Sequence, residues 1–77
     1  MKNEIPYKTI HRMMKKNCST YKVGDDAVRQ MIYFLNSIIQ DVSFMSIVYA
    51  RHDNRKTVNS NDVNLAIETI IKDVFAE

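Results

Sequence analysis

Apolar residues recur at intervals of three and four positions in three segments of the chain, the spacing of one face of an α-helix. This pattern predicts α1 at about residues 6–17, α2 at about 25–52 and α3 at about 61–76, joined by short polar links. Pro6 suits the first turn of α1, and Ser60 is a favourable N-cap for α3. Because the chain contains only one glycine and one proline, we expect few turns and an all-α fold.

The predicted α2 carries more apolar surface than one stripe. Its recurring positions are Val28, Met31, Ile32, Leu35, Ile38, Ile39, Val42, Met45 and Tyr49, and Phe34, Phe44 and Val48 lie outside them. The two short flanking helices cannot cover such a helix, whereas a second copy of the chain can. A chain of 77 residues without a disulfide is also short enough to need oligomerisation for stability.

Several classes of protein are not expected from the composition. No uninterrupted run reaches about 18 apolar residues, so we expect no membrane span, and the N-terminal residues lack the apolar run of a signal peptide. A single cysteine, Cys18, excludes an internal disulfide framework and a cysteine-based zinc finger. His11 and His52 lie on different predicted helices with no carboxylate at ligand spacing, so we expect no metal site and no catalytic site.

Charge is distributed unevenly. Residues 1–22 carry six basic side chains and one acidic side chain, whereas residues 23–77 carry five basic and eight acidic ones. A basic N-terminal segment on a more acidic body favours a partner such as nucleic acid, although a solvated helix face would have the same composition.

Local sequence makes the pattern more specific. An Ala-Arg-His run ends the long helix at His52, Arg-Lys-Thr follows at 55–57, and Asp62 comes five residues after the threonine. Residues 21–23 and 57–58 are β-prone links. Together with Val-Gly-Asp-Asp-Ala at the start of α2 and the Ile-His-Arg-Met-Met-Lys run in α1, this arrangement resembles the archaeal histones over about residues 5–72.

The resemblance implies one histone-fold domain over residues 1–77, in which two chains clasp head to tail and the first link of each pairs with the second link of the other. It implies an architectural chromatin protein that compacts, bends or bridges double-stranded DNA mainly through phosphates, with little sequence preference. It also implies no enzymatic activity, cofactor or small-molecule substrate, and a cytoplasmic, nucleoid-associated location. A histone-fold dimerisation subunit of a transcription-related complex, with weak DNA binding, stays open as the alternative.

The resemblance also assigns roles to residues. It implies that the residues in contact with DNA are Arg12, Lys15, Lys22, Lys56 and Thr57. Lys8 and Lys16 stay open between phosphate contact and a solvated face. Arg55 and Asp62 correspond to a structural ion pair that holds the second link against α3.

Two further surfaces concern assembly beyond the dimer. The residues that correspond to an end-to-end contact between dimers are Tyr49, His52, Asp62 and Leu65. Apolar residues where the family carries charges or basic side chains predict an additional oligomer surface at Met45, Val48, Ile71, Val74 and Phe75. We therefore expect a homodimer that assembles into a tetramer or a larger species.

Overall fold

A computed structural model of the protein describes residues 4–75, with side chains described as far as Lys72. Its helices are α1 (Tyr7–Cys18), α2 (Asp25–His52) and α3 (Ser60–Phe75). The predicted all-α architecture of a short, a long and a short helix is confirmed. Both helix starts differ from the prediction by one residue. Pro6 immediately precedes α1 instead of lying in its first turn, and Ser60 is the first residue of α3 instead of its N-cap. The predicted end of α3 at residue 76 lies outside the described residues.

The two β-prone links form no strand within residues 4–75. A strand needs a second extended segment to receive its backbone hydrogen bonds, and neither link forms such a ladder in the part of the chain that the structure describes. Residues 21–23 and 57–58 are therefore irregular segments in the isolated chain.

The chain divides into two compact units, Met1–Ser37 and Ile38–Glu77, and α2 runs through both. In the first unit, Ile10 of α1 is buried with Val28 and Ile32 of α2. Other partly buried apolar residues pack against this cluster: Ile5, Met14, Val23 and Leu35. This packing fixes which face of α1 is left for solvent.

In the second unit, small residues of α2 and α3 are buried. Ala50 and Ala66 are 3% and 0% exposed, and the Ser46 hydroxyl, which is also buried, donates to the Val42 carbonyl at 2.6 Å. The buried hydroxyl therefore has its hydrogen-bond partner inside its own helix.

The long helix is mostly uncovered. One 18-residue window of α2 has a mean hydropathy of 1.4 and is only 11% buried, so that by length and composition alone the helix could cross a membrane. The core helix of a soluble protein passes the same test. Six large apolar side chains of α2 are at least 37% exposed: Met31, Tyr33, Phe34, Ile39, Phe44 and Ile47. A surface of this kind needs a cover that the single chain does not supply.

Candidate nucleic-acid interface

The basic residues of α1 lie away from its buried stripe. Because Ile10 and Met14 face α2, Arg12 and Lys15 fall on the solvent side of an amphipathic helix and are exposed. Lys16 is exposed as well. Among the side chains described, those of residues 4–72, none of these three cations has an ion-pair partner, so their charges are available to an external anion.

Lys22 lies in the link between α1 and α2, where it is exposed. Ser19 ends α1 with a φ of 59°, and the Tyr21 amide donates to the Cys18 carbonyl at 3.1 Å, so the chain turns immediately after the helix. Gly24 then accepts hydrogen bonds from the first turn of α2, at 3.1 Å and 3.2 Å. The link is therefore short and anchored at both ends, with Lys22 between the two anchors.

The second link owes its position to the way α2 ends. Asn54 adopts a φ of 57°, a conformation that asparagine tolerates well. Its amide donates to the Arg51 carbonyl at 3.0 Å and the Arg55 amide donates to the Ala50 carbonyl at 3.0 Å, which closes a Schellman motif. The chain reverses at Asn54, and Lys56 and Thr57 follow as exposed residues.

Arg55 and Asp62 are brought together across this link. The two terminal nitrogens of the guanidinium, Nη1 and Nη2, each donate to the Asp62 carboxylate at 2.8 Å, and Nη1 also donates to the Thr57 carbonyl at 2.9 Å. The Asp62 side chain is 1% exposed and that of Arg55 is 31% exposed. Asp53, which is 67% exposed, lies 3.0 Å from Arg55 on its outer side. The pair thus ties the second link to α3.

A residue that the sequence interpretation missed completes this arrangement. The backbone amide of Asn59 donates to the Asp62 carboxylate at 2.9 Å, and the backbone amide of Asp62 donates to the side-chain oxygen of Asn59 at 3.2 Å. This reciprocal bonding is a capping box with Asn59, not Ser60, as the N-cap of α3. The spacing Asn-x-x-Asp would have revealed it, since asparagine caps at least as well as serine.

The hydrogen bonds from Arg55, and after them that from Asn59, lower the pKa of Asp62 from its ordinary 3.8 to about 2. The pKa of Arg55 is raised by Asp62 and, to a smaller extent, by Asp53. Because the pKa of Asp62 is lower in the folded chain than in the unfolded one, the pair stabilises the fold above about pH 4. This contribution is lost as the pH falls towards about 2.

The four residues assigned to contacts between dimers border one groove. Tyr49, His52, Asp62 and Leu65 line an open space of about 220 Å³ together with Asp53. The Tyr49 hydroxyl lies 2.6 Å from the Thr69 hydroxyl, which itself donates to the Leu65 carbonyl at 2.9 Å. Because the Asp62 carboxylate already accepts three hydrogen bonds within the chain, it contributes to this groove mainly by holding its wall in place.

The additional oligomer surface is only partly described. Met45 and Val48 are half-buried and not exposed. Ile71 is 48% exposed. The side chains of Val74 and Phe75 lie outside the described residues.

A polar cluster at the start of α2 was also missed. Asp25 pairs with Arg29 at 2.7 Å, and the Tyr7 hydroxyl also donates to the Asp25 carboxylate. These contacts lower the pKa of Asp25, with Tyr7 as the larger cause, and raise that of Tyr7. The Tyr7 ring stacks on His11 with 6.0 Å between the ring centroids. The spacing of an acid four residues before an arginine is the signal that could have identified the ion pair.

No group of three or more potential metal-ligating side chains occurs in the described part of the chain. Cys18 is half-buried at the end of α1 and has a free thiol.

Comparison with known proteins agrees with this geometry. Residues 3–67 match the family model described as histone-like transcription factor (CBF/NF-Y) and archaeal histone. The chain is 32% identical over 65 residues to one of the subunits of the archaeal histone HAN1 from Thermococcus zilligii, an alignment that covers 84% of this chain and 96% of that protein.

Proposed function

Because this chain belongs to the family of histone-like CBF/NF-Y transcription factors and archaeal histones, whose members are structural DNA-binding proteins and not enzymes, we propose that it is an architectural protein of the chromosome. It binds duplex DNA through phosphates, with little preference for base sequence, and bends or bridges the duplex. It acts at the nucleoid, in the cytoplasm. The observation that carries the proposal is the set of exposed, unpaired cations on α1 and in the two links.

The state of each cation supports this reading. Arg12, Lys15, Lys22 and Lys56 are exposed, and none of the side chains described, as far as Lys72, forms an ion pair with them. Arg29 and Arg55, by contrast, are held by carboxylates of the same chain. A cation without an internal partner releases condensed counterions when it meets a phosphate, which is the source of affinity without sequence preference.

The exposed face of α2 supports a dimer as the binding species. Six large apolar side chains on this helix are at least 37% exposed. Burying the exposed half of each contributes roughly 1 kcal/mol, or on the order of 10 kcal/mol for two chains. This is comparable with the estimated cost of association, about 4–15 kcal/mol. A second copy that crosses α2 head to tail would provide the missing cover.

The test is fluorescence anisotropy of a labelled random-sequence duplex over a series of salt concentrations. If the four exposed cations of both chains meet phosphates, the slope of log K against log salt is roughly −7. A duplex of a second unrelated sequence should give the same affinity within a few fold. Absence of binding at low salt would contradict the proposal and favour the alternative, a dimerisation subunit with little contact to DNA.

We further propose that dimers join end to end through the groove bordered by Tyr49, His52 and Leu65, with Ile71 adding apolar contact. Sedimentation equilibrium of Leu65→Asp should show a shift from tetramer towards dimer. Ile71→Asp should weaken the tetramer to a smaller degree. A wild-type protein that stays dimeric at tens of micromolar would contradict this assembly.

A further inference from the structure

Tyr21 is the most exposed large apolar or aromatic side chain in the described part of the chain, at 77%. It lies in the link between α1 and α2, and its amide is anchored to the Cys18 carbonyl at 3.1 Å. The backbone is therefore held while the ring is left in solvent. Leaving a ring of this size in water forgoes the stabilisation that burial would bring.

The other exposed aromatic side chains in the described part of the chain have a different setting. Tyr7, 37% exposed, stacks on His11 within α1. Tyr33, Phe34 and Phe44 lie on α2, on the apolar helix that a second chain is proposed to cover. Tyr21 lies in no helix, and its neighbour Lys22 is exposed without an ion pair among the side chains described. An aromatic ring beside an available cation, in the unit that carries the basic α1, is typical of a surface that contacts nucleic acid.

We propose that Tyr21 is a DNA-contact residue, whose ring enters the minor groove beside Lys22 and packs against the sugars and one base step. The inference rests on the proposed DNA binding. The minor groove is about 6 Å wide and admits single side chains from a link, whereas the major groove admits a whole helix or a two-stranded ribbon. Apolar side chains inserted there wedge between base steps and kink the duplex.

Two consequences distinguish a ring from a cation. A ring adds affinity that does not depend on counterion release, so it persists at high salt. It also favours pyrimidine–purine steps such as TA, which unstack easily, over stiff A-tracts. Tyr21 would therefore introduce a preference for deformable sequence into otherwise sequence-blind binding.

The first test compares Tyr21→Ala with Lys22→Ala on two duplexes of equal length, one containing TA steps and one an A-tract. Tyr21→Ala should weaken binding to the TA duplex at least about fivefold and leave the salt slope unchanged. Lys22→Ala should flatten the slope by about 1.8 for a dimer. Tyr21→Phe, which keeps the ring, should bind like the wild type, and Thr20→Ala is the matched control because Thr20 is exposed in the same link.

The second test uses fluorescence, because the chain contains no tryptophan. In a Tyr21→Trp variant the single tryptophan should emit as a solvated residue in the free protein and be quenched when duplex is added. In a Lys72→Trp variant, whose altered position is exposed on α3 and lies outside α1 and the two links, DNA should leave the emission unchanged. Anisotropy of a labelled duplex, measured in the same samples, reports binding separately.

The outcomes separate the two proposals. If the wild type does not bind duplex at low salt, the proposed function itself fails. If Tyr21→Trp binds but its tryptophan is not quenched, or if Tyr21→Ala binds within twofold of the wild type, only the role of Tyr21 fails. Blue-shifted emission without DNA would mean that a second chain covers the ring, which also overturns the inference.

Discussion

Replacing Asp62 by alanine should destabilise the fold before it affects DNA binding. The substitution removes three hydrogen bonds to the carboxylate, two from Arg55 at 2.8 Å and one from the Asn59 amide at 2.9 Å. It also removes the capping box of α3. Losing this many bonds to a carboxylate that is 1% exposed should lower the melting temperature by roughly 10 °C or more for a domain of this size.

The assay is thermal unfolding followed by circular dichroism, without DNA and at one fixed protein concentration. Asp53→Ala is the matched control, because it removes the same charge and also breaks a contact with Arg55, at 3.0 Å. Asp53 is 67% exposed, so we expect its loss to lower the melting temperature by less than about 3 °C. Both variants gain the same net charge, so their long-range attraction to DNA is matched.

Below the melting temperature of both variants, neither should bind DNA more weakly than the wild type. An unchanged melting temperature for Asp62→Ala, together with weaker DNA binding, would mean that Asp62 orients a DNA contact instead of holding the second link on α3.

Three further outcomes follow from the described contacts. Lys15→Ala should flatten the slope of log K against log salt by about 1.8 for a dimer, whereas Lys72→Ala, on α3, should leave it unchanged in the same titration. Because the pKa of Asp62 is about 2, the melting temperature of the wild type should fall between pH 4 and pH 2 more steeply than that of Asp62→Asn. Tyr49→Phe breaks the 2.6 Å contact with Thr69, so it should lower the melting temperature by a few degrees without changing the salt slope.

The positions of the helices can be predicted from the sequence, because apolar periodicity and the residues that begin or end a helix depend only on neighbouring positions. Asn54 and Gly24 mark the ends of α2 for reasons contained in a few neighbouring residues. The N-cap of α3 was placed one residue late, because Ser60 and Asn59 are both good caps and only the reciprocal bonds with Asp62 decide between them.

The burial of individual side chains is predicted less well from the sequence than the positions of the helices. Met45 and Val48 resemble exposed positions in the family, yet they are half-buried, which depends on packing that periodicity does not encode. The contact between Tyr7 and Asp25 likewise joins two helices that are separated by a turn. The predicted pairing of the two β-prone links joins two different chains. The structure of one chain does not test it, so it stays a prediction.

If a second chain covers the exposed face of α2, as proposed, the stability of the protein would depend on its concentration. The apolar window of α2 is only 11% buried, so in the proposed dimer much of the stability would come from the partner chain. For such a dimer, each tenfold dilution lowers the free energy of unfolding by about 1.4 kcal/mol. Newly made chains that find no partner would expose this helix to proteases, so turnover would remove excess chains first. The amount of protein on the chromosome would then be set by how fast chains meet as well as by how fast they are made.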